Sequence, residues 1–167
     1  MICPPPSDGR GSLMPHTYAK LILHFDGGAR GNPGPAALGV TLQQPDGRTV
    51  YEAGEFLGVK TNNVAEYEAL TRGLEIACQL QVRELVIRAD SELVVRQIQG
   101  RYRVRHANLR PLYQRVQGLL ARIPRWSIEH VYREANHRAD ELANLALDRR
   151  GKVEPSGSAC PDETGGA

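Results

Sequence analysis

The amino-acid sequence predicts a mixed α/β domain: a five-stranded sheet whose first three strands are antiparallel, with helices on both faces. Three observations carry this. Apolar and polar side chains alternate up to Gly58 around a hairpin turn; apolar residues then recur at helical spacing; short apolar runs and helical stretches take turns to the end. The element order is βββαβααβα.

The first strand runs from Ala19 to Phe25, with Leu21, Leu23 and Phe25 on one face, and ends at Asp26. Ala36 to Gln44 forms the second. The turn Gln44-Pro45-Asp46-Gly47 folds the chain back into a third strand, RTVYEAGEFLG. Val64, Tyr67, Leu70, Leu74 and Cys78 recur at helical spacing and place a helix over Thr61 to Leu80. The apolar run Glu84 to Ala89 is a fourth strand ending at Asp90, and Ser91 to Ile98 a short helix. Beyond an arginine-rich connection come a helix from Leu109 to Ile123, a fifth strand from Trp126 to Tyr132 and a closing helix from His137 to Leu147.

Residues 1–16 and 151–167 are rich in Pro, Gly and Ser and periodic in neither sense, so they read as flexible tails around a single domain, residues 17–150. A 41% hydrophobic and 24% charged composition suits a soluble globular protein, and no apolar run is long enough to span a bilayer. The opening MICPPPSDGRGS has neither the basic nor the apolar region of a secretory signal, so a cytoplasmic location is expected. Cys3, Cys78 and Cys160 are too dispersed for a zinc site or a redox pair. Without the tails, 19 Lys and Arg stand against 15 Asp and Glu. The excess is uneven: Leu93 to Ile128 has no acidic residue but carries Arg96, Arg101, Arg103, Arg105, Arg110, Arg115, Arg122 and Arg125. A field of that sign favours a polyanion, although many charge runs are only solvated helix faces.

Four acids stand out by position. The stretch LHFDGGARGNPGP delivers Asp26 from a strand into a glycine-rich loop, but a strand follows that loop, and it lacks GK[ST], so a phosphate cradle is disfavoured. Each acid also has an ordinary structural role available. Asp26 beside glycine suits a turn; Glu66, three residues after Asn63, suits a capping box; Asp90 suits a helix N-cap; Asp140 suits the positive end of the last helix. Glu68 is rotated about 200° from Glu66 around the helix, so only one of the two can serve a given site. Those roles leave the four together unexplained. Strand ends and helix starts can converge at one sheet edge, where clustered carboxylates repel unless a cation lies between them. An all-oxygen set suits magnesium or manganese, and two such ions can activate water against a phosphodiester.

The motifs DGGARGNPGPAALGV, TNNVAEYEAL, ADSELVVRQI and REANHRADELANLA, in this order over about residues 18 to 148, resemble the four acidic signatures of the type 1 ribonuclease H family. The resemblance implies a ribonuclease H catalytic domain over residues 17–150, an endonuclease cutting the RNA strand of RNA/DNA hybrids with two Mg2+ ions, Mn2+ being an alternative. It implies 3'-hydroxyl and 5'-phosphate ends and a monomeric enzyme. Asp26, Glu66, Asp90 and Asp140 match the catalytic, metal-binding acids, while Asn32, Thr61, Asn62 and Asn63 match positions that touch the hybrid. Amide groups and loop backbone can require a 2'-hydroxyl on one strand, and bare backbone at Gly27 and Gly28 would give the RNA room.

Two departures from the family pattern follow. The stretch HVYREANHRAD is too short for the loop that in many members carries an assisting histidine, so that role is not carried to His137, three residues before Asp140; Glu134 lies in the same loop. The connection GRYRVRHANLR is too short for the extra helix of members with a basic protrusion, which leaves Arg101, Arg103 and Arg105 to meet DNA-strand phosphates. Rival readings are a resolvase- or transposase-like nuclease on the same architecture and a non-catalytic binding module. The TNN stretch argues against the first, and the presence of all four acids against the second.

Overall fold

The computed structural model describes residues 18–153. The tail expected at 1–16, with Cys3, and residues 154–167, with Cys160, lie outside the described residues. The chain orders as β1 (Lys20–Ala29), β2 (Gly34–Gln43), β3 (Thr49–Lys60), α1 (Asn62–Gln79), β4 (Glu84–Ala89), α2 (Glu92–Ile98), α3 (Arg110–Leu120), β5 (Arg125–His130), a 3-10 turn (Arg133–Asn136), α4 (His137–Arg149) and β6 (Lys152–Val153). The sheet order is β5-β4-β1-β2-β3-β6. β1, β2 and β3 pair antiparallel, as expected, and β4 and β5 extend the sheet in parallel from β1.

The sheet has six strands rather than five. Lys152 and Val153 pair antiparallel with Glu55 and Gly54 at the β3 edge. They fall in the stretch read as tail because two residues are too few to show an alternating pattern. The turn into β6 is made at Arg150, the left-handed C-cap of α4, and Phe56 N donates to Gly151 O at 3.2 Å.

One face of β1 and β4 supplies Leu21, Leu23, Phe25, Leu85 and Ile87, and α1 answers with Tyr67, Leu70 and Leu74; all eight are fully buried. Burying a side chain of this size contributes roughly 1.5–3 kcal/mol, so this layer is a large part of what holds α1 on the sheet. The opposite face, over β2 and β3, is covered by α4, whose Ala139, Leu142, Ala143, Ala146 and Leu147 are buried. Tyr67 donates from its hydroxyl to Gln97 Oε1 at 2.7 Å in the interior, tying α2 to α1. Cys78 is half-buried against the core, its thiol 3.7 Å from Leu119 O.

Candidate active site

Asp26 sits inside β1, opposite Gly39 of β2. Alternation along the strand turns Leu21, Leu23 and Phe25 toward α1, which leaves Asp26 on the α4 face. β1 and β4 run parallel with Phe25 beside Ala89, so Asp26 and Asp90 are the next residues along two neighbouring strands. Two glycines at this level admit the helices. A Cβ at Gly27 would stand 2.2 Å from Ala65 O and 2.6 Å from Glu66 N, so α1 can seat on β1 only over bare backbone. A Cβ at Gly39 would stand 2.1 Å from Ala139 O, so the same holds for α4 on the other face. Glu66 and Asp140 are thereby carried to Asp26 from opposite sides of the sheet.

One carboxylate oxygen each from Asp26, Glu66 and Asp90 lies within 4.8 Å of the others. Asp140 stands beside this trio, close enough to Asp26 to raise its pKa. Asp26, 9% exposed, has its pKa raised to about 8, first by burial, then by Asp90 and Asp140. Glu66 is pushed well above the usual carboxylate range, first by burial, then by the charges of Asp26 and Asp90; the Gly27 amide and Arg133 pull the other way. Its Oε1 is buried without a hydrogen bond. A crowded all-oxygen set that resists ionisation and leaves a buried acceptor unmet is what a hard divalent cation satisfies, so these residues fit one.

The ordinary structural roles of the acids are filled by other residues. Thr61, not Asn63, caps α1, accepting from Val64 N at 3.2 Å, so Glu66 lies in the second turn, outside any capping box. Ser91, not Asp90, caps α2, accepting from Val94 N at 3.4 Å. Asp140 does lie in the first turn of α4, and Glu68 is not in the acidic cluster.

The glycine reading needs correction. β1 runs to Ala29, so Gly27 and Gly28 are strand residues paired with Leu38 and Ala37, not loop. At Gly27 the body that needs the space is α1 rather than a ligand; Gly28 is open, with Asn62 Oδ1 at 3.9 Å its nearest neighbour. The bare loop begins at Arg30. Asn32 Oδ1 accepts from Asn62 N at 3.0 Å, and Asn62 Oδ1 accepts from Ala29 N at 2.8 Å. Both amide oxygens are engaged internally, so each side chain offers its NH2 group outward as a donor.

Arg101, Arg103 and Arg105 are exposed in the connection between α2 and α3, and no carboxylate pairs with them among the described residues. By contrast Arg30, Arg72, Arg88, Arg96, Arg115 and Arg138 all form ion pairs. Tyr102, half exposed, lies under the Arg96 guanidinium at 5.6 Å, beside a cavity of about 330 Å³ lined by Arg103, Arg110 and Tyr113. α2 is about 10 Å long, so this basic surface begins one short helix away from Asp90. His137 and Glu134 are exposed at the start of α4 and in the preceding turn.

Two residues of this region escaped the sequence reading. The charge of Arg133 lowers the pKa of both Asp26 and Glu66. Asn136 is buried against Phe25 and Asp90. Their only cue was membership of the REANHRAD motif with Asp140; neither has a periodicity or spacing of its own.

Comparison with known proteins agrees with this architecture. Residues 24–146 match a family described as reverse transcriptase-like. The chain is 43% identical to ribonuclease HI of Halobacterium salinarum over 143 residues, covering 86% of this chain and 72% of that one. It is 44% identical to the bifunctional protein Rv2228c of Mycobacterium tuberculosis over 130 residues, but spans only 36% of that longer protein. Among solved structures, the N-terminal ribonuclease H domain of Rv2228c superposes with a TM-score of 0.77 at 42% identity, covering 78% of this chain and 95% of that one. LC11-RNase H1, solved in complex with an RNA/DNA hybrid, superposes at 0.75 with 43% identity, covering 78% and 98%. With the acids of β1 and α1 and the one just after β4 drawn together and that of α4 beside the first, on a fold shared with such relatives at this identity, the chain belongs to the type 1 ribonuclease H family.

Proposed function

We propose that this chain is an endonuclease that hydrolyses the RNA strand of RNA/DNA hybrids by a two-metal-ion mechanism, leaving 3'-hydroxyl and 5'-phosphate ends. The observation that carries this reading is the approach of one carboxylate oxygen each of Asp26, Glu66 and Asp90 to within 4.8 Å, with Asp140 beside Asp26. Asp26, Glu66, Asp90 and Asp140 would hold magnesium, with manganese as an alternative. When bound, a pair of such ions supplies an activated water and neutralises the charge gathering on the leaving oxygen. The chain's own part is to hold the carboxylates in place, with the Arg133 charge easing the ionisation of Asp26 and Glu66, and to align the scissile strand across them.

Strand choice falls to the loop beside the acids. The outward NH2 groups of Asn32 and Asn62 are donors suited to the lone pairs of a 2'-hydroxyl or a phosphate oxygen, with Thr61, Asn63 and the open backbone at Gly28 on the same junction. Arg101, Arg103 and Arg105 take phosphates of the DNA strand as point charges, which sets affinity rather than sequence preference. The acids all come from one chain, which supports action as a monomer. No described helix is long and apolar enough to cross a membrane.

The test is a cleavage panel of RNA/DNA hybrid, RNA duplex and DNA duplex, each with magnesium and with chelator, repeated with Asp26→Asn. The expected result is cutting of the RNA strand of the hybrid alone, lost with chelator and in the variant. Cutting of the DNA duplex would point instead to a nuclease of the resolvase or transposase kind, and magnesium-dependent binding without cutting to a binding module.

A further inference from the structure

Asn136 ends the 3-10 turn before α4 and is 1% exposed. Its Nδ2 donates to Phe25 O at 2.8 Å and to Asp90 Oδ2 at 3.3 Å. Phe25 is the residue before Asp26, and Asp140 lies four residues on, about one turn of α4 away. A single amide therefore adjoins the carriers of three of the four acids. The orientation of that amide follows from chemistry: reversed, it would set its oxygen against a carbonyl and a carboxylate, both acceptors.

Asn136 also stands at the N-cap position of α4, where asparagine ordinarily bonds the helix's free amides, yet its side chain makes no cap bond. Its Oδ1 is buried without a hydrogen bond, a desolvation cost left uncompensated. The side chain thus forgoes both usual uses of its oxygen and commits its donor to the acidic cluster. A donor on one oxygen of Asp90 fixes the rotation of that carboxylate about its Cβ–Cγ bond. The bond to Phe25 O holds the end of β1 at the same point.

From this geometry we infer that Asn136 is a positioning residue of the acidic centre, orienting the Asp90 carboxylate and locking it to β1 so that the cluster is set for a divalent cation. The inference rests on the ribonuclease H reading above. It is tested with Asn136→Ala, which removes the donor, and Asn136→Asp, which keeps the shape and turns the donor into an acceptor. Mn2+ affinity is measured by electron paramagnetic resonance well below each variant's melting temperature, alongside kcat and KM on a hybrid.

Partners of this kind typically contribute 10–100-fold to metal affinity, so Mn2+ binding in Asn136→Ala should weaken by about that factor, with Asn136→Asp at least as weak. kcat should fall while KM for the hybrid holds, since Asn136 is buried away from the substrate. A folded variant that keeps Mn2+ affinity within about twofold of wild type, however much its melting temperature drops, would overturn the inference and leave Asn136 a structural stitch.

Should neither variant fold, the wild-type protein decides. The side-chain amide resonances of Asn136 should shift on Mg2+ addition and saturate with cation binding, and resonances that stay put would equally overturn it. If wild-type protein binds Mn2+ with an affinity that falls in the Asn136 variants, or with a shift of the Asn136 amide, yet leaves hybrids intact, the nuclease reading fails while the positioning role stands.

Discussion

At the scale of single residues, the acidic centre trades stability for readiness to bind cations. Between its ordinary pKa near 3.8 and its folded value near 8, Asp26 keeps in the native state a proton that the unfolded chain has already released. Its contribution to stability is therefore full below about pH 4 and lost as pH rises toward 8, with a slope of up to about 1.4 kcal/mol per pH unit for one proton. Thermal unfolding of the metal-free protein should show a melting temperature that falls from pH 5 to pH 8, and Mg2+ should restore more at pH 8 than at pH 6. Asp26→Asn, neutral at every pH, should flatten that fall and melt higher than wild type at pH 8 without metal, while abolishing cleavage. A wild-type melting temperature that instead climbs steadily to pH 8 would contradict the raised carboxylate.

At the scale of elements, the site depends on how closely two helices approach one strand. Gly27→Ala would force its Cβ into the carbonyl of Ala65, so α1, and Glu66 with it, must lift from β1. The expected cost is about 1–3 kcal/mol of stability together with a loss of metal affinity out of proportion to it. Gly28→Ala, one residue on and facing open space, should leave stability near wild type in the same denaturant titration. Equal effects at the two positions would remove the argument from close approach. The same pair marks the limit of what the sequence discloses. The glycines were visible beside Asp26, but whether a helix or a ligand needs the space is a tertiary fact, and the strand was read as ending before them. Glu66 was selected by motif resemblance over a capping box that Thr61 makes unnecessary. Arg133 and Asn136 act only through neighbours distant in the chain, so no local pattern could reveal them.

At the scale of the molecule, the alternating β1 and β4 and the helical repeat of α1 were legible because a single buried face imposes its period on the chain. β6 was not, because its two residues owe their place to the β3 edge. Charge follows the same division. The arginine run was plain in the sequence, but only the fold separates Arg96 and Arg115, held by Glu92 and Glu75, from Arg101, Arg103 and Arg105, which are exposed and have no ion-pair partner among the described residues. Replacing those three by alanine should raise KM for the hybrid with kcat nearly unchanged, and should flatten the salt dependence of binding by up to about three in the log–log slope. An unchanged slope would place the DNA strand elsewhere on the surface.

The central claim, that Asp26, Glu66 and Asp90 converge to hold divalent cations, is tested most directly by anomalous diffraction from crystals soaked in Mn2+. A manganese peak ligated by oxygens of these three side chains is expected, absent in Asp26→Asn. Saturating manganese that leaves this cluster empty, or that binds unchanged in the variant, would contradict it.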